Sequence, residues 1–312
     1  MKFKTVGIGE VLWDLLPSGL QLGGAPANFA YHTHALGASA LIITRVGDDD
    51  FGKSVRRRFE EQGIEDGTVQ IDTKAPTGTV TVSLAANGIP NYVIHEDVAW
   101  DGIQITPMAL KAVQEADAIC FGSLAQRREP SRTTIQKLVA AASPNALRVF
   151  DINLRQKYFS GEIIEQSLRL ANVLKLNDSE LPILAKIFSL TGSTRKQISQ
   201  LAMKFDLQLV ALTRGPAGSL LFQDGRLSDC PSIPIEVVDT VGAGDAFAAI
   251  LVLGLLHKME LDDINALADE VARYVCSCTG ATPELPKKFS ELFAADNVTN
   301  KKQFNSVAAL KA

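Results

Sequence analysis

The segment from Val237 to Leu256, VVDTVGAGDAFAAILVLGLL, runs from an apolar strand through a glycine-rich turn into a long apolar helix beginning near Asp245. Gly242 and Gly244 remove side chains where the backbone must approach another group closely. The N–H groups of Gly242, Ala243, Gly244 and Asp245 would then point from a helix N-terminus at an anion, as in a phosphate cradle. Asp245 places a carboxylate beside that cradle, where it repels phosphate unless it has a task. Accepting the proton of an attacking hydroxyl is the natural task in phosphoryl transfer. Capping of the helix by Asp245 is the competing role, and the segment alone does not choose between them.

Four further segments carry usable groups. In NDSE, Asn177 and Glu180 stand three apart after the strand VLKL, on one face of a helix start. Their oxygens suit hydrated Mg²⁺; the same spacing also suits a capping pair. In GEVLWDLLPSGLQLGGAPAN, Asp14 lies beyond the first strand, and Gly23 and Gly24 precede a helix containing Asn28. Ligands of open α/β sheets bind at the carboxyl ends of strands, so Asp14 and Asn28 are placed to bond sugar hydroxyls or to line a plain surface loop. In FDINLR, Asp151, Asn153 and Arg155 alternate after another strand. Arg155 could hold a phosphate or sit in a structural ion pair. In LTRGPAGS, a strand ends at Thr213, and Gly215 and Gly218 allow close approach of an adenosine or phosphate, or make a simple turn.

One match misleads. Gly47, Gly52, Lys53 and Ser54 fit the G-x-x-x-x-G-K-S phosphate loop, and the apolar run ALIITRV precedes them. Asp48, Asp49 and Asp50 occupy the positions that should wrap a polyphosphate, and three carboxylates there repel one. The segment reads instead as a surface turn opening a helix that ends at Gly63.

These residues need a scaffold. KTVGIGEVL, ALIITRV, DAICFGS, LRVFDIN, NVLKLN and LQLVALTRG are short apolar runs separated by helical sequence. Such alternation predicts a mainly parallel, doubly wound sheet with helices on both faces. The stretch 68–100 breaks the rhythm with period-2 alternation and Gly/Pro/Asn turns, which predicts antiparallel strands inserted as a lid or an oligomer interface. Asp224 and Gly225 mark a second hairpin. The 312 residues are 46% hydrophobic, enough for a large buried core, and the net charge of −4 argues against a general nucleic-acid binder. Cys120, Cys230, Cys276 and Cys278 lack zinc spacing and read as reduced thiols. His32, His34, His95 and His257 show no metal spacing and read as structural or exposed. The apolar run 246–256 is too short to span a bilayer, and the N-terminal segment reads as a strand rather than a signal, so a cytoplasmic location is expected.

Together the motifs resemble the ribokinase-like carbohydrate kinases of the PfkB family, from about Gly7 to Pro286. Gly23-Gly24-x-x-x-Asn28, Gly47-x-Asp49-x-x-Gly52, Asn177-x-x-Glu180 and Asp239-Thr-x-Gly-Ala-Gly-Asp245 occur in the family's order. GGAPANFA and FDINLR look most like the fructokinase branch. The resemblance implies one kinase domain over 1–312 with a small β-sheet lid from 68–100 and part of 11–22. It implies ATP-dependent phosphorylation of a sugar hydroxyl, with D-fructose the leading acceptor and ribose or 2-keto-3-deoxygluconate the alternatives. A non-catalytic sugar sensor with the same fold is the reading from another class. By the same match, Asp245 would be the base, and Gly242, Ala243 and Gly244 the anion hole. Asp14, Gly24, Asn28 and Arg155 would face the sugar, with Arg155 also near the transferred group. Asn177, Thr213, Gly215 and Gly218 would line the nucleotide cleft, with Asn177 and Glu180 ordering Mg²⁺ through water. Asp239, Val241 and Gly280 would offer oxygens to K⁺, and Glu284 stands where some relatives place a serine ligand. The lid could pair two copies into a homodimer. Its Tyr92, His95, Asp97 and Trp100 have no assigned role, and the basic tail after Asn300 has no counterpart.

Overall fold

The computed structural model describes residues 2–84 and 90–293. The strands are β1 (Lys4–Ile8), β2 (Leu12–Leu16), β3 (Gly19–Gly23), β4 (Ser39–Gly47), β5 (Val69–Asp72), β6 (Gly78–Leu84), β7 (Pro90–Ile94), β8 (Ala118–Phe121), β9 (Leu147–Asp151), β10 (Val173–Asn177), β11 (Leu209–Thr213), β12 (Ser219–Gln223) and β13 (Arg226–Cys230). Nine of them form one sheet in the order β13-β12-β11-β10-β9-β8-β1-β4-β5. From β11 to β5 every pairing is parallel; β12 and β13 add an antiparallel edge. The chain runs from β1 outward through β4 and β5, then returns to the other side of β1 as β8. Strand order therefore reverses at β1, and the crevice at the carboxyl ends there is the expected place for a ligand.

Apolar runs such as AICF in β8 are buried throughout because both faces are covered. Ile119 and Phe121 join a core with Ile135, Leu138 and Leu201 on one side. Ala118 and Cys120 face the helices Ala243–Leu256 and Leu261–Cys276 on the other. The helix Ala243–Leu256 is buried along most of its length, as its unbroken apolar sequence requires. No helix among the described residues is long and apolar enough to cross a membrane.

A second sheet of four strands has the order β3-β2-β6-β7. Its extent differs from the expected 68–100. Strand β5 pairs parallel with β4 in the large sheet, and Ala99–Gly102 is a 3₁₀ turn, so the inserted strands begin at Gly78 and end at Ile94. Period-2 alternation reports one buried face but not which sheet supplies it. The apolar segment 4–12 likewise divides. β1 enters the large sheet, the chain turns at Gly9, and β2 pairs with β3 as a hairpin between Asp14 and Gly23. Val80, Val82 and Ile94 turn inward, while Leu20, Tyr92 and Val93 stay exposed. Trp100 is buried and stacks under the Arg127 guanidinium at 3.9 Å. His95 bonds Thr81 at 2.9 Å and Asp97 pairs with Arg128 at 2.9 Å. The predicted hairpin at Asp224 and Gly225 is present with φ of 48° and 80°. Part of the insert, 85–89, and the basic tail lie outside the described residues.

Candidate active site

The false phosphate loop is filled by its own side chain. Asp49 caps the helix Asp50–Glu61, its Oδ1 accepting from Gly52 N at 2.7 Å and Thr77 Oγ1 at 2.6 Å. Its Oδ2 accepts from Thr77 N at 2.8 Å. A carboxylate thus holds the place an anion would need, and Lys53 is an exposed residue 3.7 Å from Asp50.

The second glycine turn is different. The helix Ala243–Leu256 starts from Gly242, whose φ of 81° favours glycine. A Cβ there would lie 2.2 Å from the Ala281 carbonyl oxygen. That carbonyl in turn accepts from His32 Nε2 at 2.9 Å, on the helix Ala25–Ala35. Burial lowers the His32 pKa to about 4, so the ring is neutral and holds the loop by a hydrogen bond rather than a charge. Tyr31 Oη adds a bond to the Pro283 carbonyl at 2.9 Å. The segment packed against the turn is therefore fixed twice by one helix.

Asp245 lies in the first turn, partly exposed. Its Oδ2 accepts from Asn28 Nδ2 at 2.7 Å. Its low-dielectric surroundings, then Asp151, push its carboxyl up to about 6; Lys175, Asn28 and Arg155 oppose that shift. A carboxyl so tuned is ionised at neutral pH and still basic enough to take a proton.

Asn28 is buried because Gly24, at φ 115°, brings the helix start against β1; a Cβ at Gly24 would sit 2.4 Å from the Glu10 carbonyl oxygen. Asp14 faces the same crevice, and the missing side chain of Gly23 leaves room for its carboxylate. Burial raises the Asp14 carboxyl to about 6, with Arg155 opposing and Asp239 adding. Arg155 is exposed, and the only hydrogen bond of its guanidinium among the described residues is to the Leu154 carbonyl at 3.2 Å, so the ion-pair reading is not realised. Its guanidinium lowers the proton affinity of Glu10, Asp14 and Asp245 together. Asp14, Asn28, Arg155 and Asp245 thus converge from four segments.

Asn177 and Thr213 are register neighbours at the ends of β10 and β11. Asn177 Oδ1 accepts from Glu180 N at 3.0 Å, and Glu180 Oε2 accepts from Asn177 N at 2.8 Å, which is the capping arrangement. Glu180 is buried, which raises its pKa, and its Oε1 accepts from Leu154 N at 2.8 Å, anchoring the loop that carries Arg155. The same loop reaches the small sheet: Gln156 Nε2 donates to the Tyr92 carbonyl at 2.6 Å and Tyr158 Oη to the Ile94 carbonyl at 3.2 Å. Gly215 and Gly218 flank a 3₁₀ turn after Thr213. Asp239 gathers the third group, accepting from Val241 N at 3.0 Å and Gly280 N at 3.1 Å.

Two buried residues escaped the sequence reading. Glu10, two residues beyond β1, has an unpartnered Oε2, and burial raises its pKa to about 7. Lys175, in the middle of β10, pairs with Asp151 on β9 at 2.8 Å. A lysine inside the otherwise apolar VLKL was the available signal, because a charge in a strand covered on both faces requires a partner.

A mostly parallel α/β sheet that presents a glycine-rich helix N-terminus with a carboxylate in its first turn has the parts of a phosphotransferase. The chain belongs to the PfkB family of carbohydrate kinases, whose model matches residues 19–288. An uncharacterized sugar kinase of Pyrococcus horikoshii is 32% identical over 273 residues, covering 82% of this chain and 83% of its own. Its structure in complex with ATP has a TM-score of 0.76 at 28% identity, covering 93% of this chain and 100% of that one. A fructokinase of Klebsiella pneumoniae is 31% identical over 305 residues, 92% of this chain and 98% of its own.

Proposed function

We propose that this carbohydrate kinase is an ATP-dependent fructokinase that uses Asp245 as its general base. The observation that carries the reading is the Asp245 carboxylate held by Asn28 at 2.7 Å beside the Gly242–Gly244 turn. Asp14, Asn28 and Arg155 line the sugar side, with Gly24 allowing the approach. The acceptor hydroxyl gives its proton to Asp245 as its oxygen attacks the γ-phosphorus. The bond from that phosphorus to the β-phosphate bridging oxygen breaks, and ADP leaves. The N–H groups of Gly242, Ala243 and Gly244 offset charge on the transferred group, with Arg155 beside them. Asn177, Thr213, Gly215 and Gly218 form the nucleotide side.

No cluster of three or more His, Cys, Asp or Glu suited to a metal occurs among the described residues. The donor set at Asn177 and Glu180 therefore fits Mg²⁺ only through water, each carboxylate oxygen keeping a lone pair beyond its backbone bond. Bound with ATP, Mg²⁺ supplies charge neutralisation of the phosphates. Asp239, placed by the N–H groups of Val241 and Gly280, would offer K⁺ a carboxylate, and the carbonyl oxygens of Val241 and Gly280 would complete the set. The exposed Leu20, Tyr92 and Val93 on the small sheet support its closing on sugar or pairing with a second copy. A cytoplasmic setting, with ATP at hand, completes the proposal.

Fructose as acceptor is supported by the likeness to the Klebsiella fructokinase. Ribokinase and 2-keto-3-deoxygluconate kinase activities are the alternatives. Release of ADP is measured against a panel of sugars. Fructose should give the highest kcat/KM; a higher value for ribose moves the assignment, and no turnover with any sugar supports a sensor.

A further inference from the structure

Lys175 and Asp151 sit opposite each other on adjacent parallel strands, with side chains 9% and 5% exposed. The ammonium donates to both Asp151 oxygens, at 3.0 and 2.8 Å. It makes no other hydrogen bond among the described residues, so one of its three donors is unused. A Cβ built on Gly244 would lie 2.9 Å from Lys175 Nζ. The ammonium therefore packs directly behind the first turn of the helix Ala243–Leu256.

That is a poor place for a cation on stability grounds. The N-terminus of a helix carries about +0.5 charge, which repels it. Burying an ion pair is also costly, and well-packed apolar replacements are often neutral or stabilising. Burial opposes the charge, yet Asp151, then Asp245 and Glu180, hold the Lys175 pKa above its usual value. Two positive features are thus stacked behind one turn. Both would act on negative charge developing in front of it.

We propose that the Lys175–Asp151 pair belongs to the phosphoryl-transfer machinery, the ammonium serving as fixed counter-charge behind the Gly242–Gly244 turn. This rests on the assignment of Asp245 and that turn given above. Asp151 orients the ammonium, and Lys175 acts through the turn as a positioning residue. Gly244 is then required for a specific reason: any side chain there would displace the charge.

The test compares Lys175→Met with the double variant Lys175→Met/Asp151→Asn, which leaves no unpaired buried charge. Steady-state kinetics, melting temperature and affinity for ADP with aluminium fluoride plus fructose are measured. In the double variant, KM for ATP and for fructose should stay within about threefold while kcat falls roughly 10²–10³-fold, the scale of one lost transition-state donor. Affinity for the aluminium fluoride complex should fall by a similar factor, with ADP alone bound as in the wild type. A double variant with kcat within threefold of wild type, or one that does not fold, assigns the pair to structure and overturns the proposal. Asp245→Asn is assayed beside it. An active Asp245→Asn enzyme refutes the base, whereas an inactive one beside an active double variant refutes only the role of Lys175.

Discussion

Replacing Gly242 by alanine tests the glycine turn with a single methyl group. The backbone there has φ 81°, which costs an L-residue roughly 1–2 kcal/mol. The larger effect is steric. The new Cβ would lie 2.2 Å from the Ala281 oxygen and 2.6 Å from its Cα, so backbone must move by about 1 Å to reach ordinary contact. Ala281 cannot yield freely, because its carbonyl is held by His32 at 2.9 Å. The turn itself must shift, and a displacement of that size costs about 10²-fold in rate. Loss of one aligned donor sets an upper range of about 10³. Gly225→Ala is the control: its φ of 80° gives the same strain, but nothing lies within 4 Å of the added atom. The shared strain should cost Gly225→Ala about 2–4 °C in melting temperature, from roughly 2 °C per kcal/mol in a large domain, and Gly242→Ala at least as much. Only Gly242→Ala should lose turnover, measured as kcat by ADP release. Equal activity of the two variants would refute the anion-hole assignment.

Lys53→Ala should leave kcat and KM for ATP unchanged, since Lys53 is exposed and Asp49 fills its loop; an inactive variant restores the phosphate-loop reading. Asp245 and Asp14 have carboxyls raised to about 6 from 3.8, so activity and stability should respond oppositely to pH. The rate rises as Asp245 ionises through pH 6, while the raised carboxyls favour the folded state fully below about pH 4 and lose that contribution as pH climbs through 6. A kcat/KM profile and melting temperatures from pH 4 to 8 check both signs; an acid limb near pH 4 contradicts the assignment of Asp245. Hydrogen exchange at 78–84 and 90–94 should slow when sugar binds, or sedimentation should show a dimer; a monomer without added protection refutes both roles of the small sheet.

The geometry of the candidate site was legible where it is local. Gly242 to Asp245 state their geometry in consecutive residues, and Asn177 with Glu180 do so at helical spacing. The sheet was legible because buried parallel strands read as continuous apolar runs. What was hidden depends on neighbours distant in the chain. Lys175 meets Asp151 only through the register of β10 on β9, and the buried Glu10 meets the start of the helix from Ala25 only in the folded chain. Strand β5 alternates like its successors but pairs elsewhere, since alternation carries no address. Asp49 illustrates the opposite failure: a local pattern promised a phosphate site, and Thr77, 28 residues away, completes the bonding that occupies it.

The loop bearing Arg155 is tied at three points, to Glu180 through Leu154 and to the outer strand of the small sheet through Gln156 and Tyr158. Any tilt of that sheet must carry the arginine with it or break two hydrogen bonds. Water would compete with a sugar as acceptor of the phosphoryl group, and it is too small to seat a sheet that closes on substrate. With the roles proposed for the small sheet and Arg155, such a link would tie fidelity to size: an acceptor that left the sheet ajar would also leave the guanidinium out of register, and ATP would be spared from idle hydrolysis.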